Sequence, residues 1–163
     1  MGSEPRLIIV SASLRMGGAE VVALEQAERF GESYGVIFLT LDNDETDFFE
    51  PPASVERHSI DGPTAPARLG PIGRIWRLRG FLGTQRPDDV IAHQDWVAIL
   101  VILATRLSRR RPPIVVVEHL DPEFSPTSRY LRLLRRVTYR SAKVVCTDRP
   151  SGRMARASLP NSC

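Results

Sequence analysis

Short apolar runs that alternate with longer segments of helical period constrain the fold of this chain more than any other feature of its sequence. Five of the six runs are continuous rather than alternating in polarity, as expected for strands covered on both faces. Strands that alternate with helices are typical of parallel sheets with crossover connections. The pattern therefore predicts an α/β fold, a three-layer, doubly wound and mostly parallel sheet of the Rossmann-like type with strand order 3-2-1-4-5-6. The predicted strands are residues 6–11, 35–41, 55–60, 89–92, 114–118 and 143–147.

The segments between these runs repeat their apolar residues every three or four positions, which predicts helices. We expect a single domain over residues 1–160, because a chain of 163 residues suffices for one core but not for two. The most apolar segment, residues 96–104, has roughly half the length of a membrane-spanning helix and is predicted to be a buried helix. The predicted helices are residues 19–30, 72–82, 96–107, 127–140 and 151–157.

The composition limits the classes of function. Hydrophobic residues make up 42% and charged residues 25% of the chain, which excludes a disordered chain and a membrane bundle. The first residues lack the pattern of a signal peptide, so we expect a cytoplasmic protein. Neither Cys146 nor Cys163 has a metal-ligand spacing, and both are expected to be free thiols. The net charge is +3, and the arginines that crowd the second half indicate either a solvated surface or an anionic partner.

A diglycine, Gly17-Gly18, lies between the first predicted strand and the first predicted helix. In a doubly wound sheet, ligands bind beyond the carboxyl ends of the strands, where this loop would lie. Adjacent glycines allow a close approach of the backbone, and the first amides of a helix favour an anion. We expect Gly17 and Gly18 either to contact a phosphate or a sugar hydroxyl, or to form a tight turn without a ligand. The dinucleotide pattern GxGxxG is absent.

Polar residues also end the fourth and fifth predicted strands. His93 follows the fourth strand, and Asp95 is suited to cap the next helix. Glu118 and His119 end the fifth strand. Because the carboxyl ends of parallel strands share one edge, we expect His93, Glu118 and His119 to gather in one crevice beside the diglycine.

No metal site is predicted. His93 and His119 lack a clear third ligand, and the acidic stretch at residues 42–45 lacks the glycine and the terminal glutamate of a calcium loop. We expect that stretch to be a solvated loop. The remaining histidine, His58, has no predicted role.

Two of the predicted helices are basic and amphipathic. Arg74 and Arg77 flank Trp76 on one helix, and Arg132 and Arg136 lie among apolar residues on the other. Such helices either pack on the sheet with their charges in water or lie on an anionic membrane surface. Both interpretations stay open, and these five residues are the candidates for membrane contact.

Four segments, in the same order and spacing, carry a resemblance to a known family: LRMGGAEVVALEQAERF after the first strand, PDDVIAHQDW at the fourth, VVVEHLDP at the fifth and LRRVTYRSAKVVCTDRPSGRM at the sixth. The chain resembles the N-terminal domain of glycosyltransferase family four, which has the GT-B fold. The match runs from about residue 6 to about residue 159. The chain departs from the family pattern at His93-Gln94, where many relatives have His-x-His, and at residues 148–150, where a Ser-Glu pair is common.

This resemblance implies a retaining glycosyltransferase that transfers a hexosyl group from a nucleotide sugar, with this domain on the acceptor side of the cleft. It implies that Gly17 and Gly18 approach the donor diphosphate and that His93 lines the cleft. It also implies that Glu118 and His119, the other two candidates for catalysis, lie near the sugar or the acceptor. No cofactor is expected.

The resemblance also implies the partners. We expect a sugar or a lipid-linked acceptor, and a nucleotide sugar only together with a complementary C-terminal domain that this sequence does not contain. The chain alone is then expected to be inactive. The basic helices would allow peripheral contact with the inner face of a membrane, and nucleic acid is ranked low as a partner. The alternative is a non-catalytic Rossmann-like binding or interaction module that uses its arginine-rich face.

Overall fold

The computed structural model describes residues 4–15, 17–42, 47–62, 69–118, 129–142 and 144–147. In this part of the chain six strands form one sheet with the order β3-β2-β1-β4-β5-β6, and every neighbouring pair is parallel. The predicted fold class and strand order are confirmed. The strands are β1 Arg6–Ser11, β2 Gly35–Thr40, β3 Glu56–Ser59, β4 Asp89–His93, β5 Ile114–Glu118 and β6 Val144–Thr147.

Four helices connect the strands in the described part of the chain, and each begins within three residues of its predicted start. The last of them is followed by a 3-10 turn at Tyr139–Ser141. The predicted helix at residues 151–157 lies outside the described residues. The helices are α1 Gly18–Phe30, α2 Pro71–Gln85, α3 Asp95–Arg106 and α4 Arg129–Thr138.

The sheet separates two apolar clusters, because alternate side chains of a strand point to opposite faces. Ile8 and Val10 of β1 pack with α2 and α3 on one face, while Leu7 and Ile9 pack with α1 on the other. Helix α3 is the most deeply buried helix, with eight of its twelve residues buried. Each fully buried Leu, Ile or Val contributes about 1.5–3 kcal/mol, so α3 anchors its face of the sheet.

The described helices include none that is both long enough and apolar enough to cross a bilayer. Even the apolar helix α3 has only 12 residues, well short of the roughly 20 that a bilayer requires. The prediction of a buried helix at this position is confirmed.

Candidate functional site

The loop after β1 is held firmly against the segment that follows β2. The side chain of Leu14 is fully buried, and its backbone N–H donates to Oδ1 of Asp47 at 3.1 Å. The carbonyl of Leu14 accepts hydrogen bonds from the backbone of Phe48 and Phe49. Asp47 also forms an ion pair with Arg57 of β3. Leu14, three residues before the diglycine, is therefore anchored at the carboxyl edge of the sheet.

The diglycine begins α1, and its two glycines differ in their surroundings. Gly17 is the N-cap of the helix with extended backbone angles, φ −171 and ψ 158. A Cβ built on Gly17 would collide with Oε2 of Glu20, whereas a Cβ on Gly18 would meet nothing within 4 Å. A methyl group at Gly17 would therefore displace the flexible end of the Glu20 side chain, whereas Gly18 leaves the start of the helix open.

Glu20 places a carboxylate over the start of α1. Its side chain is buried and folds back toward Gly17, in the first turn of the helix. A negative charge at this position is favourable, because the first amides of a helix carry a partial positive charge. An incoming phosphate would meet this carboxylate, so the contact predicted for Gly17 and Gly18 requires Glu20 to turn aside or to hydrogen-bond a protonated group of the ligand.

His93 is fully buried at the end of β4. Its Nε2 donates a hydrogen bond to Oε1 of Gln26 in the middle of α1, at 3.2 Å. The imidazole therefore lies beneath α1, on the same face of the sheet as Ile91 and Val117. It supports the helix that carries the diglycine and is not exposed to the crevice in this structure.

The residue after His93 has a strained backbone. Gln94 adopts φ 71 and ψ 147, a region that residues other than glycine rarely enter. Its N–H donates to Val117 of β5 at 3.0 Å, and its carbonyl accepts from Ala98 of α3 at 3.0 Å, so both neighbours hold it in place. Such strain is frequent at functional sites, and nothing in the residue pattern indicates it.

The predicted cap of α3 is wrong by one residue. Gln94 occupies the N-cap position, and Asp95 is the first residue of the helix. The Asp95 carboxylate accepts from the backbone N–H of Trp96 at 2.7 Å. It still benefits from the partial positive charge of the helix start.

Glu118 ends β5 and is 3% exposed. It continues the side of the strand that carries Val116, which packs toward α2 and α3. Glu118 and His93 thus share the carboxyl edge of the sheet, but their side chains lie on opposite faces. His119 lies outside the described residues.

A buried charge cluster at the same edge joins the ends of β2 and β3 to α2. Arg74 of α2 forms ion pairs with Asp42, and with Asp61 at 2.7 Å. Oδ1 of Asp61 and Nε of Arg74 are buried without a hydrogen-bond partner among the described residues. The expectation of a solvated acidic loop is wrong for Asp42, because its carboxylate binds Arg74.

The cluster favours the charged form of Arg74. Burial acts to lower the pKa of its guanidinium, but the hydrogen bond to Asp61 and the charge of Asp42 outweigh burial and raise that pKa above its ordinary value. The guanidinium also lies 5.7 Å from the centroid of the Trp96 ring at the start of α3. Arg74 thereby links the starts of α2 and α3 at the edge that carries the candidate site.

The candidates for membrane contact differ in their availability. Arg74 is occupied by two aspartates, and Arg77 donates to the carbonyl of Ile60 at 2.8 Å. Trp76 is 55% exposed, and Arg136 is exposed on α4. The side chain of Arg132 lies outside the description. Arg74 and Arg77 on α2 therefore already form contacts within the protein.

The described residues contain no group of three or more potential metal ligands. His58 contacts the carboxylate of Glu56, two residues away on β3, at 2.5 Å.

Residues 17–157 match the family model described as a glycosyl transferase 4-like domain. This match covers most of the chain and confirms the resemblance found in the sequence. No curated protein matches the chain significantly.

Solved structures with the same fold include the apo form of WaaB, a lipopolysaccharide outer core galactosyltransferase. It is 15% identical, with a TM-score of 0.62 over 86% of this chain and 38% of that one. HepE from Anabaena, in complex with UDP, is 18% identical, with a TM-score of 0.59 over 86% of this chain and 36% of that one. MurG from Acinetobacter baumannii is 19% identical, with a TM-score of 0.59, and the match covers 93% of this chain and 44% of that one.

These likenesses show the fold, a GT-B domain, and no more. The chain spans well under half the length of each of the three structures. The shared fold and the family model together identify the type of domain, while the substrates and the partners of this chain need a separate argument.

Proposed function

The chain belongs to the glycosyl transferase 4-like domain family, and we propose that it forms the acceptor side of a cleft for hexosyl transfer. In this proposal the donor is a nucleotide sugar and the anomeric configuration is retained. The observation that supports it most is the family match over residues 17–157, together with polar residues at the carboxyl ends of β1, β4 and β5. The alternative of a non-catalytic binding module has no comparable support.

Transfer requires the donor and the acceptor to be held together in a reactive geometry. The edge formed by the diglycine loop, Gln94 and Glu118 supplies one wall of such a cleft. We propose that a nucleotide-sugar-binding domain, on the same polypeptide or on another, supplies the second wall. Without that domain the described chain would bind its acceptor but would not transfer sugar.

The candidate residues have different roles in this proposal. Gly18 leaves the start of α1 open to the donor diphosphate once Glu20 turns aside, since a Cβ at Gly18 would meet nothing within 4 Å. His93 is a positioning residue, because its buried imidazole contacts Gln26 and supports the helix that begins with the diglycine. Glu118 and His119 are the candidates to contact the sugar or the acceptor.

A lipid-linked acceptor would place the domain at the inner face of a membrane. Ile72 and Trp76 are 73% and 55% exposed, and they lie four residues apart on one face of α2. A Trp side chain is favourable at a membrane interface, and Arg79 lies over its ring with 5.1 Å to the centroid. These two apolar side chains, rather than Arg74, are the proposed contact.

Titration of the isotope-labelled chain with a panel of acceptor oligosaccharides, followed by NMR, tests the proposal. We expect acceptors to shift the backbone amides of Gln94 and Glu118 and to leave Leu107, at the opposite edge, unshifted. Addition of nucleotide sugars to the chain alone should give no transfer. Robust transfer by the chain alone would contradict the need for a second domain, and shifts confined to the opposite edge would contradict the placement of the cleft.

A further inference from the structure

We propose that a groove at the amino edge of the sheet, which we call the arginine groove, binds a phosphate-bearing anion. The groove encloses about 640 Å³ between the ends of α2 and α3 and the loops that lead into β4 and β5. Four arginines line it: Arg79, Arg86, Arg109 and Arg110. This proposal goes beyond the proposed function, because the groove lies at the edge of the sheet opposite to the cleft.

The charge of the groove favours an anion. Its lining includes four guanidinium groups and no carboxylate. The carboxyl ends of the two helices each contribute a partial charge of about −0.5. Together they offset roughly one of the four positive charges. Asp88 is adjacent in sequence but is not part of the lining, and its carboxylate accepts from the backbone N–H of Arg6 at 2.9 Å. A positive potential therefore remains in the groove.

The helix ends do not use all four arginines. Arg79 has a structural role, because its Nε donates to the carbonyl of Leu107 at 2.8 Å. The backbone and hydroxyl of Ser108 donate to the last turn of α3, and Arg6 donates to the carbonyl of Gln85 at the end of α2. Within the described ranges, Arg86, Arg109 and Arg110 are exposed and form no ion pair or side-chain hydrogen bond. Three cations are thus available to a ligand.

Arg86 occupies a position that suits glycine better. It caps α2 in the left-handed conformation, with φ 50 and ψ 54, and its N–H donates to the carbonyl of Leu82 at 3.0 Å. Glycine is the usual residue there because it lacks the Cβ that makes this conformation unfavourable. The chain therefore bears a conformational cost at an arginine that lines the groove, which indicates a use for this residue outside the helix cap.

Two glycines open the wall of the groove. Gly80 and Gly83 lie three residues apart on the face of α2 that lines it, and a Cβ at either position would meet nothing within 4 Å. The helix backbone is therefore exposed to the groove between Arg79 and Arg86. A ligand can approach the helix closely there, beside arginines that line the same groove.

This arrangement indicates the chemical class of the ligand. Guanidinium groups bind phosphate oxygens through two parallel hydrogen bonds, and several of them suit an anion with more than one phosphate oxygen available. The ligand is either a free diphosphate compound or the phosphate headgroup of a lipid. Inorganic pyrophosphate represents the first source, and vesicles of phosphatidylglycerol represent the second.

Calorimetric titration with pyrophosphate, and sedimentation with phosphatidylglycerol or phosphatidylcholine vesicles, test the proposal on the full chain. Arg86→Gly removes the cation and relieves the strained backbone, so it should keep or raise the melting temperature and weaken binding by about tenfold. Gly83→Glu, which places a carboxylate in the groove, should also abolish binding, while its matched control Gly83→Ala should retain it. Arg29→Gln removes an exposed cation from the last turn of α1, on the other face of the sheet, and should leave binding unchanged.

The pyrophosphate titration and the vesicle sedimentation distinguish a free diphosphate ligand from a lipid headgroup. Pyrophosphate binding that Arg86→Gly weakens supports a free diphosphate ligand. Sedimentation with phosphatidylglycerol but not phosphatidylcholine, lost in the same variant, supports a headgroup. Absence of binding in both arms, or binding that the Arg86 and Gly83 variants leave unchanged, would overturn the proposal.

Discussion

His93 at the end of β4 is joined to Gln26 in the middle of α1 by a hydrogen bond of 3.2 Å between Nε2 and Oε1. The two residues are 67 positions apart in the sequence, and their contact connects the central strand β4 to the helix that begins with the diglycine. The position of that helix relative to the sheet therefore depends on a buried polar contact as well as on the apolar residues Ala23 and Ala27.

Replacement of Gln26 by Leu should destabilise the protein by about 1–3 kcal/mol, because a buried imidazole N–H would lose its acceptor. Glu25→Leu is a suitable control, since Glu25 is exposed on the neighbouring position of α1, and it should change stability by less than about 0.5 kcal/mol. Chemical denaturation of both variants gives the comparison. Equal stability of the two variants would show that the contact with His93 contributes nothing.

Gly17 and Gly18 should respond differently to alanine. Gly17→Ala displaces the flexible end of the Glu20 side chain and replaces a favourable N-cap residue, so it should cost up to about 1 kcal/mol. Gly18→Ala fills open space at a helical position and should be neutral or stabilising by up to about 1 kcal/mol. A double-mutant cycle of Gly17→Ala with Glu20→Ala, measured by denaturation, isolates the clash. A coupling energy near zero would contradict the proposed contact.

Gln94→Gly should stabilise the protein by about 1 kcal/mol, because glycine relieves the unfavourable backbone angles at this position. Gln94→Ala keeps the strain and removes only the side chain, so it should give no such gain. Thermal unfolding distinguishes the two variants. If acceptor binding also weakens in Gln94→Gly, the strained backbone contributes to the geometry of the cleft as well as reducing stability.

Arg74→Met should destabilise the protein by roughly 2–4 kcal/mol at neutral pH, because it leaves Asp42 and Asp61 facing each other without a cation. The pKa of Arg74 is raised in the folded state, so the stability it provides is fully present at neutral pH and is lost only at strongly alkaline pH.

The control for that experiment is Arg57→Met. Arg57 pairs with Asp47, but its side chain is 35% exposed, so the loss should stay below about 1 kcal/mol. Denaturation curves measured at neutral pH test both variants. A loss of stability in Arg74→Met no larger than that in Arg57→Met would contradict the ionic role of the cluster.

Trp76→Ala should reduce sedimentation with anionic vesicles several-fold if Ile72 and Trp76 contact the membrane, since an exposed aromatic ring is lost from α2. Phe48→Ala removes a ring that is 67% exposed at the carboxyl edge of the sheet and should leave sedimentation unchanged. Equal effects of both substitutions would indicate unspecific adsorption, and no effect of either would exclude this contact.

The sequence predicted the sheet well because continuous apolar strands such as Ile114–Glu118 have few alternatives to a buried parallel sheet. Strand order followed from topology rules that apply to the whole class. The edge strand β3 has no fully buried side chain. Its residues therefore do not form a continuous apolar run, and the strand is shorter than the predicted range of residues 55–60.

The arrangement of the site was harder to predict, because it depends on contacts between distant residues. Arg74 and Asp42 lie 32 positions apart, and no local pattern indicates that they form an ion pair. The face to which His93 points depends on the last register position of β4, where a shift of one residue exchanges the two faces. The strain at Gln94 is a property of the backbone that an ordinary residue type does not reveal.

All strands of the sheet run in one direction, so each β-to-α connection leaves at the edge with the diglycine and each α-to-β connection returns at the edge with the arginine groove. The two ends of the molecule are therefore built from different sets of loops, with a rigid sheet between them. The loops at one end could be exchanged for those of a relative while the other end stays unchanged, so the proposed sugar site and the proposed anion site should be separable by grafting.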